Sequence, residues 1–352
     1  MTNRRKFLHS VIVGAAGAYA TTQVAAAWQG QATRRQVTIG GKRIRVIDGH
    51  AHCIIPVQHI TKGTPLEKMG GGAPLGPERL QIMDQQGVDV QVLTINNFWW
   101  YAADADLARK IGLAQNEGLA KWVASHPDRF VATAAVALQH PELAAEQLQD
   151  AVKRLGFRGA SIGCHVNGED LSLPRFDPFW AKAAELGVPV FTHPGGAENI
   201  VKEGAFRGRG ELGNIIGNPL ETTYFLSRLI FDGTFDKFPG LRVVGAHAGG
   251  YLPSYFGRTE AACEFRGNAK CANKKKPSDY LKSQIVIDTM VFSDEGLRHL
   301  VAEAGVGQIV YGTDVPFNWP VTVDLVLNAK FLSDADKESI LSTNLMRLLR
   351  IT

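Results

Sequence analysis

Pro141-Glu142-Leu143-Ala144-Ala145-Glu146-Gln147-Leu148-Gln149-Asp150-Ala151-Val152-Lys153-Arg154-Leu155-Gly156, followed at once by Phe157-Arg158-Gly159-Ala160-Ser161-Ile162-Gly163, carries the pattern on which the fold turns. Proline stands at a first-turn position, where its missing N–H is no loss, and Gly156 ends the amphipathic run as a helix stop. The run 158–163 behind it has the length of a strand. The same alternation continues in both directions. Strands are expected at residues 44–48, 89–95, 130–138, 158–163, 189–192, 242–246, 284–289 and 308–312. Helices are expected at 77–86, 104–125, 141–155, 177–186, 221–231, 252–265, 294–304 and 334–349. A hairpin precedes them, Val37-Thr38-Ile39 against Ile44-Arg45-Val46 around Gly40-Gly41. Eight strand–helix units with no linker predict an α/β chain, a single TIM-like (β/α)8 barrel over residues 28–352. A doubly wound open sheet is the alternative; the absence of a glycine-rich dinucleotide fingerprint after the first strand counts against it.

The 352 residues are 45% hydrophobic and 20% charged, enough to bury a large core and unlike a disordered chain. Of the formal net charge of +4, Arg4, Arg5 and Lys6 supply three units, so residues 28–352 are nearly neutral and no nucleic-acid partner is expected. Residues 1–27 read as a twin-arginine export signal: Asn3-Arg4-Arg5-Lys6-Phe7-Leu8 leads into a small, apolar stretch, and Val24-Ala25-Ala26-Ala27 predicts cleavage after Ala27. That stretch is too short and too rich in Gly and Ala to remain as a membrane anchor. The expectation is a soluble periplasmic or secreted protein whose partner during export is the twin-arginine translocation machinery. Cys263 and Cys271 are close enough to pair, though spacing alone leaves the bridge open, and Cys53 and Cys164 are expected to be buried and free.

Five of the ten histidines fall beside strand ends: His50 and His52 at the first, His165 at the fourth, His193 at the fifth and His247 at the sixth, with Asp314 after the eighth. In a barrel those ends converge on one face. His-x-His on an extended strand points both rings the same way, so His50 and His52 can reach one ion together with His193 and Asp314. His165 either lines the pocket or supports the turn at Asn167-Gly168. His59, His126, His140 and His299 read as surface or packing residues.

Asp48-Gly49-His50-Ala51-His52, Thr192-His193-Pro194, Ala246-His247-Ala248-Gly249-Gly250 and Tyr311-Gly312-Thr313-Asp314 resemble the amidohydrolase-2 family, and within it the aminocarboxymuconate semialdehyde decarboxylase-like enzymes. The similarity spans about residues 44–352. It implies that His50, His52, His193 and Asp314 bind one divalent metal, usually Zn2+ with Mn2+ possible, while His247 stays free as acid/base and Asp314 belongs to both the ligand and the catalytic set. Ser161-Ile162-Gly163-Cys164-His165 offers no lysine or carboxylate to bridge a second ion, so one metal per site is expected.

The ion is expected to lower the pKa of a water, with His247 taking or giving the proton. Two reactions are open on that site: non-oxidative decarboxylation of a small unsaturated or aromatic carboxylic acid, favoured by the resemblance, or hydrolysis of an ester, lactone or amide. Trp99, in the run Asn97-Phe98-Trp99-Trp100-Tyr101, and Phe317 should face the site and stack on a planar substrate. Residues 195–217, rich in Gly and holding Arg207 and Arg209, are long enough for a lid. The family's muconate-type decarboxylases use an arginine after the first strand to hold a carboxylate; here residues 53–78 contain none and only Lys62 and Lys68 are cationic. The resemblance further implies a homodimer in which Arg258 reaches the partner's substrate and Arg266 serves its own chain. Pairing of Arg258 with Glu260 or Glu264 is the alternative.

Overall fold

The computed structural model describes residues 34–69, 74–96 and 99–352; the expected export signal and Asn97-Phe98 lie outside the described residues. Eight parallel strands form the barrel: β1 (Ile47–His52), β2 (Val90–Thr94), β3 (Phe130–Ala132 with Ala134–Ala135), β4 (Ala160–Gly163), β5 (Val190–His193), β6 (Val243–Gly245), β7 (Ile285–Asp288) and β8 (Ile309–Val310). β3 changes neighbour at Thr133. Its first half pairs with β2 and its second half with β4. The ring closes where Gly49 N donates to Tyr311 O (2.9 Å), Asp314 N to His50 O (2.8 Å) and His52 N to Val315 O (2.8 Å).

The connecting helices are α1 (Glu78–Gln86), α2 (Ala105–Ser125), α3 (Pro141–Lys153), α4 (Asp177–Leu186), α5 (Asn218–Phe231), α6 (Phe256–Phe265) and α7 (Asp294–Ala304). The last, α8, joins Asp334–Glu338, a π-helical turn Ser339–Thr343 and Asn344–Leu349. Their ends follow local chemistry. Asp104 and Ser293 cap α2 and α7 by accepting from Leu107 N and Gly296 N, and α3 begins on Pro141 as expected.

Alternation along the strands separates two cores. Ile47, Val90, Val92, Phe191, Val244, Val286 and Val310 fill the lower lumen with Leu345 and Leu349 of α8, beneath the polar residues of the same strands. Val190, Val243, Ile285, Ile287 and Ile309 face outward against Leu148, Trp180, Leu229 and Leu297 of the helices.

Several boundaries differ from the sequence expectation. The hairpin pairs Thr38–Ile39 with Lys42–Arg43, and Ile44 closes it by donating to Val37 O, so residues 44–46 lead into β1 rather than form it. β1 begins at Ile47 and contains His50 and His52, and β5 contains His193: these ligands stand in the strands, not past them. Polar residues inside a strand buried on both faces hide its end from an apolarity reading. α5 starts earlier than expected and follows a π-helical turn Gly213–Gly217, so the C-terminal end of the expected lid is helical. Cys263 and Cys271 are disulfide-bonded, with Cα atoms 5.7 Å apart, and Cys53 and Cys164 are buried and free. Among the described residues no helix is long and apolar enough to cross a membrane.

At the lower end of the barrel Arg34 and Arg43 converge on Asp89, and Arg45 donates to the main-chain oxygen of Thr352. Among the outer-layer side chains Trp180 is fully enclosed, its indole N–H donating to Leu171 O at 2.8 Å. Trp180→Ala is expected to destabilise the chain by about 3–5 kcal/mol through the cavity and the lost hydrogen bond. The urea midpoint measures this, with metal content unchanged.

Candidate metal centre

At the upper, C-terminal ends of the strands, His50 and His52 of β1, His193 of β5 and Asp314 after β8 each offer one ligand atom, all within 4.8 Å of one another and all buried. Ring centroids lie 5.6 Å apart for His50 and His52 and 4.4 Å for His52 and His193. His50 Nε2, His52 Nε2, His193 Nε2 and Asp314 Oδ1 are buried without a hydrogen-bond partner, although Asp314 Oδ1 lies 3.2 Å from His50 Nε2 and 2.9 Å from His52 Nε2. Four orphaned lone-pair donors converging on one point carry a large desolvation penalty unless a cation satisfies them. Three imidazoles and a carboxylate therefore form a site for a divalent metal ion.

The protonation states reflect that crowding. Burial disfavours charge on His50, yet the Asp314 and Asp288 carboxylates hold its pKa well above the ordinary imidazole value. Burial pulls His52 down and, helped by the charges of its neighbouring histidines, takes His193 well below. Asp314 stays ionised, well below the usual carboxylate range, because the imidazoles around it outweigh its own burial.

Three of the four ligands are aimed by a second contact. His50 Nδ1 faces Asp288 Oδ2 at 2.7 Å, which turns Nε2 toward the cluster. His193 Nδ1 faces Pro194 O at 2.8 Å with the same effect. Asp314 Oδ2 accepts from the indole of Trp319 at 2.9 Å, leaving Oδ1 for the histidines.

His247 follows β6 and is not part of the quartet. Its Nε2 is 3.8 Å from Asp314 Oδ2, and its ring lies 5.1 Å from that of His193 and 5.2 Å from that of His50. It and Ala248 both adopt left-handed backbone, φ 54° and 59°. Asp288 holds this turn: Oδ2 accepts from His247 N (2.9 Å) and Oδ1 from Ala248 N (2.7 Å) and Met290 N (3.1 Å).

Below the ligands, Asp48 accepts from His50 N, Thr313 N and Thr313 Oγ1, and from Gln91 Nε2 at 2.8 Å. Gln91 Oε1 in turn accepts from Arg79, whose other amino group donates to His52 O at 2.7 Å. Asp288, Arg79, Gln91 and Glu221 are absent from the sequence-based site. The one visible signal is Asp288, an acid at the upper end of a strand whose other residues are Ile285, Val286 and Ile287.

The remaining expected residues take varied places. Phe317 is edge-on to His52 at 5.0 Å and partly exposed, as a mouth residue should be. Trp99 is half-buried against Gly163 and stacks on Tyr101. His165 uses Nδ1 to accept from Gly168 N at 2.9 Å, so it supports its own turn, and it is not among the rings around the ligand cluster. Arg258 and Arg266 are exposed on and just after α6, and the expected alternative partner Glu260 instead accepts from Ser278. His126 stacks on Trp122, His140 contacts Ala103 O, and His299 contacts Ser254, each a packing or surface role.

A (β/α)8 barrel with a mixed histidine–aspartate metal site at its upper face defines the class. The amidohydrolase family model matches residues 47–351, and the chain belongs to that family. It is 31% identical over 280 residues to a 2-amino-3-carboxymuconate-6-semialdehyde decarboxylase of Dictyostelium discoideum, covering 77% of this chain and 75% of that protein. It is also 31% identical over 285 residues to a gamma-resorcylate decarboxylase of Rhizobium sp. (strain MTP-10005), covering 78% and 86%. Among solved structures, a dihydroxybenzoic acid decarboxylase of Polaromonas sp. JS666 with bound manganese and 2-nitroresorcinol superposes with a TM-score of 0.76 at 27% identity, covering 87% of this chain and 97% of that one.

Asp288→Ala removes both the partner of His50 Nδ1 and the clamp on the His247 turn. Metal affinity is expected to fall about 10–100-fold, measured by chelator competition, with Asp288→Asn falling less because one acceptor remains.

Proposed function

We propose that this chain is a mononuclear, metal-dependent carboxy-lyase that removes carbon dioxide, without oxidation, from a small unsaturated or aromatic carboxylic acid. The observation that carries the reading is the position of His247: an imidazole beside the metal-ligand quartet, outside it, and locked in place by Asp288. Support comes also from the likeness to proteins named as decarboxylases.

A divalent cation bound by His50, His52, His193 and Asp314 supplies positive charge for the anionic oxygens of the substrate. Both Zn2+ and Mn2+ suit three imidazoles and a carboxylate; zinc is our assignment, and the manganese of the Polaromonas structure supports the second ion. His247 delivers a proton to the carbon that bears the carboxylate. The bond to the carboxylate then breaks, its electron pair returns to the unsaturated system, and carbon dioxide leaves. His247 regains its proton from solvent. Phe317 and Trp99 supply the apolar wall on which a planar acid stacks.

Two further parts of the reading concern the context of the chain. Arg258, exposed on α6, serves the pocket of a second copy in a homodimer, and Arg266 serves its own, since a guanidinium binds a carboxylate through two parallel hydrogen bonds. The chain is exported through the twin-arginine route and works in the periplasm or outside the cell; the Cys263–Cys271 bridge supports an oxidising compartment.

Carbon dioxide release from gamma-resorcylate and a panel of unsaturated and aromatic acids, lost on chelation and restored by one equivalent of metal per chain, is the expected result. Carbonyl hydrolysis without carbon dioxide overturns it. His52→Ala and Asp314→Ala are expected to purify without metal. His247→Ala is expected to keep its metal while turnover falls about 10²–10⁴-fold. Arg258→Ala and His247→Ala chains, each inactive alone, should regain activity when mixed, because one pocket of the heterodimer receives both intact groups. Proven heterodimers without activity refute the shared pocket.

A further inference from the structure

Glu221 is an ionisable side chain in the first turn of α5, 1% exposed, with no part in the reaction described above. An acid at that position ordinarily faces solvent and the amides of its own helix. This one turns away. Its Oε2 accepts from Gly195 N at 2.9 Å and from Ala197 N at 2.7 Å, both in the loop that leaves the metal-ligand strand β5. Its Oε1 is buried without a hydrogen-bond partner, 3.8 Å from His165 Nε2.

The first of these contacts matters because of the peptide unit it touches. Gly195 N–H and Pro194 C=O belong to one amide, planar by resonance, so neither end can turn without the other. At the N–H end that amide is held by Glu221; at the C=O end it accepts from His193 Nδ1 at 2.8 Å. A carbonyl only accepts, which puts the ring proton on Nδ1 and leaves Nε2 as the ligand atom. The contact with Ala197 holds the next stretch, where Gly196 and Ala197 run through left-handed backbone at φ 111° and 64°. The packing leaves no slack there: a Cβ on Gly217, one turn before Glu221, would stand 2.5 Å from Gly196 O.

We propose that Glu221 is a positioning residue for the metal site, holding the ring of His193 in its ligating tautomer and orientation through the Pro194–Gly195 peptide. The inference rests on the reading of His193 as a ligand. His50 has its carboxylate, Asp288, in direct contact; His193 has its carboxylate one amide away, and hydrogen bonds at both ends of an amide polarise each other.

The test is the affinity of the purified, metal-stripped full chain for Zn2+ alone, by chelator competition, together with the visible d–d spectrum of the Co2+ form, which reports ligand geometry. Glu221→Ala is expected to bind Zn2+ about 10–100-fold more weakly and to alter the Co2+ spectrum, and its metal-free form to melt at a lower temperature because the Gly195 and Ala197 amides lose their acceptor. Glu221→Gln, whose single carbonyl oxygen can accept from both amides, is expected to restore affinity to within about threefold. Glu221→Asp, which keeps the charge but withdraws the oxygen, should resemble the alanine variant, and it carries the test if Glu221→Ala does not fold. His193→Ala is measured beside them. If it loses Zn2+ while Glu221→Ala and Glu221→Asp bind as the unchanged protein does, the positioning role is refuted and the ligand reading stands. If His193→Ala itself binds Zn2+ normally, the ligand reading fails instead.

Discussion

The carboxylate of Asp288 holds the site together. Two oxygens at the end of β7 meet one imidazole and three main-chain amides, and among those four groups are one from each half of the proposed chemistry: the ring of the ligand His50 and the amide of the acid/base His247. Consecutive left-handed, non-glycine residues at 247 and 248 cost about 1–2 kcal/mol each. Two hydrogen bonds from their amides to a buried carboxylate return about that much, since each bond to a charged group contributes about 1.5–3 kcal/mol. The turn therefore persists without help from substrate, and the histidine it carries is in position before anything binds.

Asp48 plays a matching role from below. It ties β1 to the segment after β8 through Thr313, and Gln91 connects it to Arg79. Burial pushes the Asp48 carboxyl up and the Arg79 guanidinium down, the directions that weaken each charge. The neutral amide of Gln91 between them lets the pair share partners without touching. Since Arg79 also holds the main-chain oxygen of His52, the spacing between the ligand strand and Asp314 is set by a buried polar lattice rather than by apolar packing alone.

How much of this is legible in the sequence depends on how rare a residue is at its position. His50, His52, His193 and His247 stand out because histidine is uncommon and a barrel brings strand ends together. The alternation of strands and helices is legible because Pro141 and Gly156, among others, punctuate it. Asp288 and Glu221 are harder to see: an acid at a strand end or in a first helical turn has an ordinary explanation, and only three-dimensional contacts separate the exception from the rule. The upper boundary of β1 is hidden for a related reason, since Asp48, His50 and His52 are polar residues in a fully buried strand. The pairing of Cys263 with Cys271 needed a Cα separation that spacing does not supply.

The two ends of the described chain meet at the closed end of the barrel. Arg34 and Arg43 anchor the leading segment on Asp89, and Arg45 holds the main-chain oxygen of Thr352. The metal ligands stand at the other end of the same strands, beyond a lumen filled by Ile47, Phe191, Val286 and their neighbours. A tether joined at Arg34, the first described residue, or at Thr352 thus starts from the base of the molecule. The ligand cluster lies at the far end of the strands from both points, so a tether at either one leads away from the mouth of the barrel.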